Sequence, residues 1–317
     1  MNKYNNSAIH EGKVVSVNIS EKKGTVKIPV QEIFLTEKGV QNDAHTSIGD
    51  VQVSMLRYET INLFSVKHNK ILKPGDFAEN ITIEGFDQIS VNLLDHFIID
   101  ETEMEVTRIG KKCNGKECSI YQTTGDCIMP REGIFLRVIK QGAIQPGNIV
   151  KHIPRVFNFK VITLSNRAYA GEYHDTSGYE IQRILKEHFG GINRQIYIDY
   201  RLIPDNAEWL KQEIEETVKM GYDVILTTGG TGVGPGDITY DVVSSLCDKI
   251  IPGIMEFIRM KYGQTNSHAL LSRSIAGIIK DILIYTLPGS QKAVKEYMDE
   301  LLRTMEHLIY VMNGLSH

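Results

Sequence analysis

The junction at Leu226 constrains this chain more than any other stretch. An apolar run, Val224-Ile225-Leu226, passes directly into Thr227-Thr228-Gly229-Gly230-Thr231-Gly232-Val233-Gly234-Pro235-Gly236-Asp237. A buried strand that ends in so many glycines empties into a turn able to approach another group closely. The glycines permit positive φ, the threonine hydroxyls and backbone N–H groups can face phosphate oxygens, and Asp237 stands where a Mg²⁺ ligand is useful. Neither a Walker loop nor a dinucleotide fingerprint fits, because no Gly-Lys-Ser/Thr follows and Pro235 occupies the place of the last glycine. A plain structural turn is the alternative reading, weakened by the threonines and the terminal aspartate.

Around that junction strands and helices alternate. Phe159 to Leu164 reads as a strand, Thr176 to Phe189 as a helix with Ser177 as its cap, and Arg194 to Leu202 as a second strand. Asn206 to Met220 carries Leu210, Ile214, Thr217 and Val218 on one side and reads as a helix. Further helices are expected over Tyr240 to Leu246 and Lys292 to Met312, with a strand at Ile282 to Leu287. This βαβαβα order predicts an α/β fold with a mostly parallel sheet, whose ligands gather beyond the carboxyl ends of its strands. Trp209 and the methionines are expected in cores.

Before His152-Ile153-Pro154 the pattern is different. Val14 to Ile19, Val26 to Val30, Ile81 to Ile83, Glu103 to Thr107 and Phe135 to Ile139 read as short strands, with turns at Pro74-Gly75-Asp76 and Pro146-Gly147-Asn148. A mainly β, barrel-like domain with one helix over Ser54 to Phe64 fits best. The boundary is placed near Pro154, and 317 residues with 42% hydrophobic content suffice for two full cores. A net charge of −4 offers no basic field for nucleic acid. No run reaches the roughly 18 apolar residues of a membrane span, and the opening residues lack the apolar core of a signal peptide. A cytoplasmic protein with neither nucleic-acid nor membrane partners is expected.

Three strand ends point to one pocket: Ser165-Asn166-Arg167 with the His174 to Gly178 segment, Arg201 to Asp205, and the glycine loop. Asp205 and Asp237 suit one Mg²⁺, which takes one or two carboxylates together with phosphate oxygens and water. The structural alternative is that each aspartate caps the helix that follows it. Pro288-Gly289-Ser290 forms a fourth lip, with Ser290 as an N-cap or anion contact. His174, beside Asp175, reads better as a solvated side chain than as a base. In the first half Cys113, Cys118 and Cys127 cluster, and both a zinc site completed by His96 or His45 and burial as small hydrophobic side chains are open at this point.

Residues 159 to 317 resemble the MogA/MoaB family of molybdopterin-binding proteins. The likeness runs through Ser165-Asn166-Arg167, Asp175-Thr176-Ser177-Gly178, Arg201 to Asp205, Thr227 to Asp237, Pro252-Gly253 with Glu256 and Arg259, Ser272-Arg273 and Pro288-Gly289-Ser290. The resemblance implies a three-layer α/β fold, a trimer, and Mg²⁺-dependent transfer of AMP from ATP to the terminal phosphate of molybdopterin. It implies Asp205 and Asp237 as the catalytic, metal-holding pair. Ser165, Asp175, Ser177, Gly178, Thr228, Gly229, Gly230, Thr231, Gly232, Ser272, Pro288, Gly289 and Ser290 would be the binding positions. The chain departs from the family pattern at Asn166, where Asp is common, and at Gly234-Pro235-Gly236, where basic residues are common.

Residues 12 to 152 are similar to the MOSC domain, through Gly39 to His45, Pro74 to Ile81, Gly110-Lys111-Lys112-Cys113 and Gly142 to Asn148. That likeness implies a domain that binds the molybdenum cofactor or carries sulfur on Cys113, whose thiol the neighbouring Arg108, Lys111 and Lys112 would acidify. Other molybdenum cofactor enzymes are then possible partners. The competing expectation is a noncatalytic carrier of molybdopterin or of the finished cofactor.

Overall fold

A computed structural model of the chain describes residues 9–22, 25–44, 49–111, 121–122 and 125–315. The chain divides into two compact units, Asn6–Arg155 and Val156–Gly314.

In the first unit seven strands close into a barrel. Around the ring they run His10–Ile19, Ile149–Ile153, His96–Ile99, Thr102–Ile109, Ile134–Lys140, Val53–Arg57 and Ile81–Glu84, and the last pairs back with the first. Every pairing is antiparallel except Val53–Arg57 beside Ile81–Glu84, where the helix Tyr58–His68 lies on the connection that a parallel step requires. Alternate residues point inward, so Val14, Met55, Ile83, Phe97, Met104 and Leu136 share one core. Ile28–Val30 pairs onto the first strand outside the ring. A small sheet of Gly142–Ile144, Ile33–Thr36 and Gly39–Val40 is hydrogen-bonded separately and packs Ile33, Leu35, Val40 and Ile144 into the same core.

The barrel also buries charge. Lys27 Nζ lies 2.6 Å from Asp43 Oδ2, and His152 Nε2 lies 2.9 Å from Asp95 Oδ2. Glu79 accepts from the Gly75 N–H at 2.6 Å and the Thr82 hydroxyl at 2.8 Å. Burial raises the Glu79 carboxyl above its ordinary value, a shift that these hydrogen bonds only partly offset.

The second unit is a six-stranded sheet in the order Ile196–Ile203, Phe157–Leu164, Val224–Thr228, Ile282–Leu287, Ala276–Ile279, Lys249–Ile250. The first four strands are parallel, and the last two pairings are antiparallel. From Phe157–Leu164 the chain steps first to one side, to Ile196–Ile203, and then to the other, to Val224–Thr228. That reversal opens a crevice at the strands' carboxyl ends. Helix Ala207–Met220 packs Leu210 and Ile214 with Val243 of helix Thr239–Leu246 against Ile162, Ile225 and Ile284 of the sheet. Helix Gln291–Met312 buries Val294, Tyr297, Met298, Leu301 and Met305 at helical spacing and packs with helix Ser177–Gly191. Each such apolar side chain contributes about 1.5–3 kcal/mol when buried.

Several local expectations change. Ser54 to Arg57 is strand rather than helix, because Ser54 pairs with Phe135 and Met55 with Ile134; the helix starts at Tyr58. The strand expected from Val26 begins at Ile28. Trp209 is 43% exposed, with its ring edge-on to Tyr169, and Met220 and Met260 are also exposed. Helix Pro252–Gly263 was unanticipated although Pro252 stands at its first turn, where proline's missing N–H costs nothing.

Candidate functional site

The crevice is a cavity of about 690 Å³ at the carboxyl ends of the parallel strands. Its wall includes Ser165, Asp175, Ser177, Asp205, Thr228, Gly229, Gly230, Thr231, Gly232, Asp237, Ser272, Pro288, Gly289 and Ser290. Gly178 lies behind the wall. A Cβ there would fall 2.3 Å from Thr163 Oγ1 and 2.4 Å from Asp175 Oδ2, so glycine is required by packing.

Many of these polar groups bind each other. Asp175 accepts from Thr163 Oγ1 and Tyr200 OH, both at 2.7 Å, and from the N–H groups of Ser177 and Gly178. Burial raises the Tyr200 hydroxyl's pKa first, and the bond to Asp175 adds to the effect, so the phenol stays a donor. The start of helix Ser177–Gly191 is therefore capped by Asp175, not by the Ser177 side chain. Ser177 Oγ donates to the Gly289 carbonyl at 2.7 Å and Thr228 Oγ1 to the Pro288 carbonyl at 2.9 Å, which ties three lips together. Ser272 Oγ pairs with Ser274 Oγ, and Ser165 Oγ pairs with Tyr173 OH while capping Ala168. Ser290 caps helix Gln291–Met312 by accepting from Ala293 N–H at 3.3 Å.

What remains unspent lies at the glycine loop and the two aspartates. Gly229 has φ +102°, and a Cβ there would sit 2.2 Å from the Leu164 carbonyl oxygen; Gly230 has φ +62°. Gly229 N–H donates to Leu287 O, Thr239 N–H to Gly230 O, and Arg273 N–H to Thr231 O, which fixes the loop from outside. Among the described residues the N–H groups of Gly230, Thr231 and Gly232 have no protein acceptor. Three consecutive free amides at a strand end form an anion-binding concavity.

Neither aspartate is the cap of the following helix. Asn206 caps Ala207–Met220 through its own side chain, and helix Thr239–Leu246 follows Ile238 without a side-chain cap. Asp205 Oδ2 instead accepts from Asn166 N–H at 2.9 Å, while Asn166 Oδ1 accepts from Asp205 N–H at 3.0 Å. Asp237 Oδ2 accepts from Gly234 N–H at 2.8 Å. Both aspartates line the cavity, and among the described residues Oδ1 of each receives no hydrogen bond. Gly232 allows the loop to pass beside Asp237, since a Cβ would lie 2.7 Å from Oδ2. Among the described residues no group of three or more His, Cys, Asp or Glu is placed to hold a metal. Asp205 and Asp237 both line the cavity, and carboxylate oxygens are the donor type that Mg²⁺ takes beside phosphate and water.

The wall also holds Tyr173, Asn266, His268, Glu296 and Tyr297, which sequence reasoning missed. Asn266 and His268 sit at a short 3-10 turn, Ser267–Leu271, too brief to show any apolar period. Glu296 and Tyr297 lie on a helix that was anticipated, where only the spatial approach of its first turns to the glycine loop reveals them. His174 is an exposed loop residue, as its polar setting suggested.

In the barrel unit Cys113, Cys118 and His45 lie outside the described residues. Cys127 is buried among Leu56, Ile61, Phe64 and Phe77. His96 has its two ring nitrogens 2.6 Å from Glu103 and 3.2 Å from Glu105, so neither is free for a metal. Among the described residues no helix is long and apolar enough to cross a membrane.

Residues 160–307 match the family described as "Probable molybdopterin binding domain". The chain is 31% identical over 163 residues to a molybdopterin adenylyltransferase of Pyrococcus furiosus, covering 50% of this chain and 93% of that protein. It is 36% identical over 160 residues to gephyrin of Dictyostelium discoideum, covering 49% of this chain but only 22% of gephyrin's own length. Among solved structures, the tungsten cofactor synthesizing protein MoaB of Pyrococcus furiosus is 30% identical, with a TM-score of 0.44 over 52% of this chain and 99% of that one.

Proposed function

The chain belongs, through residues 160–307, to the molybdopterin-binding family that includes the MogA and MoaB proteins, and on that premise we propose that its C-terminal unit adenylylates molybdopterin in molybdenum cofactor biosynthesis. The observation that carries the reading is the run of free amides at Gly230, Thr231 and Gly232 beside two half-unspent carboxylates. In the reaction an oxygen of the pterin's terminal phosphate attacks the α-phosphorus of ATP. The new P–O bond forms as the bond to the β-phosphate bridging oxygen breaks, and pyrophosphate leaves with the electron pair. Negative charge accumulates on the α-phosphoryl oxygens and the departing group, where fixed N–H dipoles are most effective. Asp205 and Asp237 would hold Mg²⁺, which supplies Lewis-acid neutralisation of those oxygens. Gly229 to Gly232 orient the phosphates, and the lips bonded through Ser177, Thr228 and Gly289 hold the pterin side of the cavity in shape.

The barrel unit we read as a MOSC-like partner domain that binds the molybdenum cofactor or carries sulfur at Cys113; its closed barrel and the motif segments Gly39 to His45 and Pro74 to Ile81 support this. A tether between the two units raises the effective concentration of one site for the product of the other.

A noncatalytic carrier is the second reading, favoured by the absence of basic side chains at Gly234-Pro235-Gly236. Incubating the purified chain with molybdopterin, ATP and Mg²⁺ separates the two. Stoichiometric release of pyrophosphate with adenylylated pterin is expected; tight pterin binding without pyrophosphate release would leave the carrier.

A further inference from the structure

The cavity wall carries an unexpected charge balance. Its ionisable side chains include Asp175, Asp205, Asp237 and Glu296, and among the described residues that line it none is Lys or Arg. Yet the function proposed above, on which this inference rests, brings two polyanions into that space. Two guanidinium groups on flanking segments are hydrogen-bonded to protein partners. Arg259 donates to the carbonyls of Ser272 and Ser274, and Arg273 pairs with Asp241 at 2.6 Å while stacking over Tyr240 at 4.2 Å.

One wall residue can present an unengaged ring N–H. His268 is exposed to the cavity, and among the described residues its ring makes no hydrogen bond. Its backbone is firmly held. Asn266 Oδ1 accepts from His268 N–H at 3.2 Å, and Asn266 N–H donates to Tyr262 O. Leu270 packs over Gly263, where a Cβ would lie 2.5 Å from Leu270 Cδ2, so the turn is seated on helix Pro252–Gly263. Beyond the turn, Arg273 N–H donates to Thr231 O at 2.8 Å, which couples the segment to the phosphate-facing amides. An imidazole carried on a backbone anchored at this spot, with no partner of its own, meets an anion without first giving up another bond.

We infer that His268 is a phosphate-binding residue of this site, donating a ring N–H to a phosphoryl oxygen of a bound substrate. The phosphate belongs either to the nucleotide or to the pterin, and the two sources are told apart by binding.

The test is calorimetric titration of the full-length chain and of His268→Ala, His268→Gln and His268→Arg with ATP·Mg²⁺ and, separately, with molybdopterin. His268→Ala is expected to weaken one ligand about ten- to a hundredfold, the usual range for losing a hydrogen bond to a charged group. Gln should recover part of the loss and Arg most of it. A loss confined to ATP·Mg²⁺ assigns the contact to the nucleotide, and a loss confined to molybdopterin assigns it to the pterin phosphate. Unchanged affinity of His268→Ala for both, when wild type binds them, overturns the assignment alone. Wild-type protein that binds neither ligand overturns the proposed function and this inference together. The exposed, unbonded ring makes misfolding of the variants unexpected, and far-UV circular dichroism with a thermal melt checks it.

Discussion

The two units differ in where their polar groups are left free. The barrel unit closes on itself and buries ionisable side chains against one another, with Lys27 against Asp43, His152 against Asp95, and Glu79 held by Gly75 and Thr82. The open sheet keeps Val224, Ile225, Leu226, Leu283 and Ile284 apolar along its centre, pairs Lys160 with Asp199 and Glu213 toward one edge, and lines the crevice past its strand ends with polar residues. A closed ring has no switch point, so its polar groups face one another; an open parallel sheet creates a crevice by topology alone, and side chains there can stay unpaired for a ligand. Buried ion pairs contribute little net stability but are costly to break. Free groups at a strand end cost stability and are tolerated where they bind something.

The largest expected effect tests the open-sheet half. Asp237→Asn should lower AMP transfer about a thousandfold, in the range seen for losing a preorganised charge-stabilising group, with the melting temperature nearly unchanged; activity within tenfold of wild type would remove Asp237 from the metal. Next in size is Phe97→Ala in the barrel, where deleting a fully buried ring costs about 3–5 kcal/mol. Chemical denaturation followed by a barrel-specific probe should show that loss while nucleotide binding persists, and a parallel loss of binding would mean that the halves are not energetically separate.

A pair of glycines sharpens the contrast further. Gly229→Ala places a Cβ 2.2 Å from the Leu164 carbonyl oxygen, whereas Gly147, at φ +91°, has open space around it. The first should lose more than about 3 kcal/mol because backbone must move as well, and Gly147→Ala only about 1–2 kcal/mol from the left-handed conformation. Equal losses would show that strain alone matters at the loop. The smallest effect concerns Glu79. Its raised pKa means that the folded barrel binds the proton more tightly than the unfolded chain, so its contribution is fully present below the ordinary value of 4.5 and is lost as pH rises toward the folded pKa. Glu79→Gln should therefore gain on wild type in melts as pH increases from 4.5 and show no gain below it. A constant difference across pH would refute the protonation argument.

The sequence disclosed the α/β half well, because its helices carry one clean apolar stripe each and its central strands are continuous apolar runs. Gln291–Met312 and Ala207–Met220 were found to within a residue for that reason. Ser54–Arg57 was misread, since a short apolar stretch is ambiguous until its partner strand is known, and the pairing with Ile134 and Phe135 decides it. For the site, glycine and aspartate positions were readable because positive φ and carboxylate chemistry restrict residue type. The roles of Asp175, Ser177 and Thr228 were not, because whether a hydroxyl faces a ligand or a neighbouring loop depends on distances that no spacing encodes. Asn266 and His268 were invisible for the same reason.

Asp175 gathers two side-chain hydroxyls and two backbone amides from three separate segments around a single carboxylate. A rim cross-linked in this way is already stiff when empty. Arriving substrate therefore meets a finished mould, and capture should proceed at the pace of encounter, with no slow closing phase in stopped-flow traces.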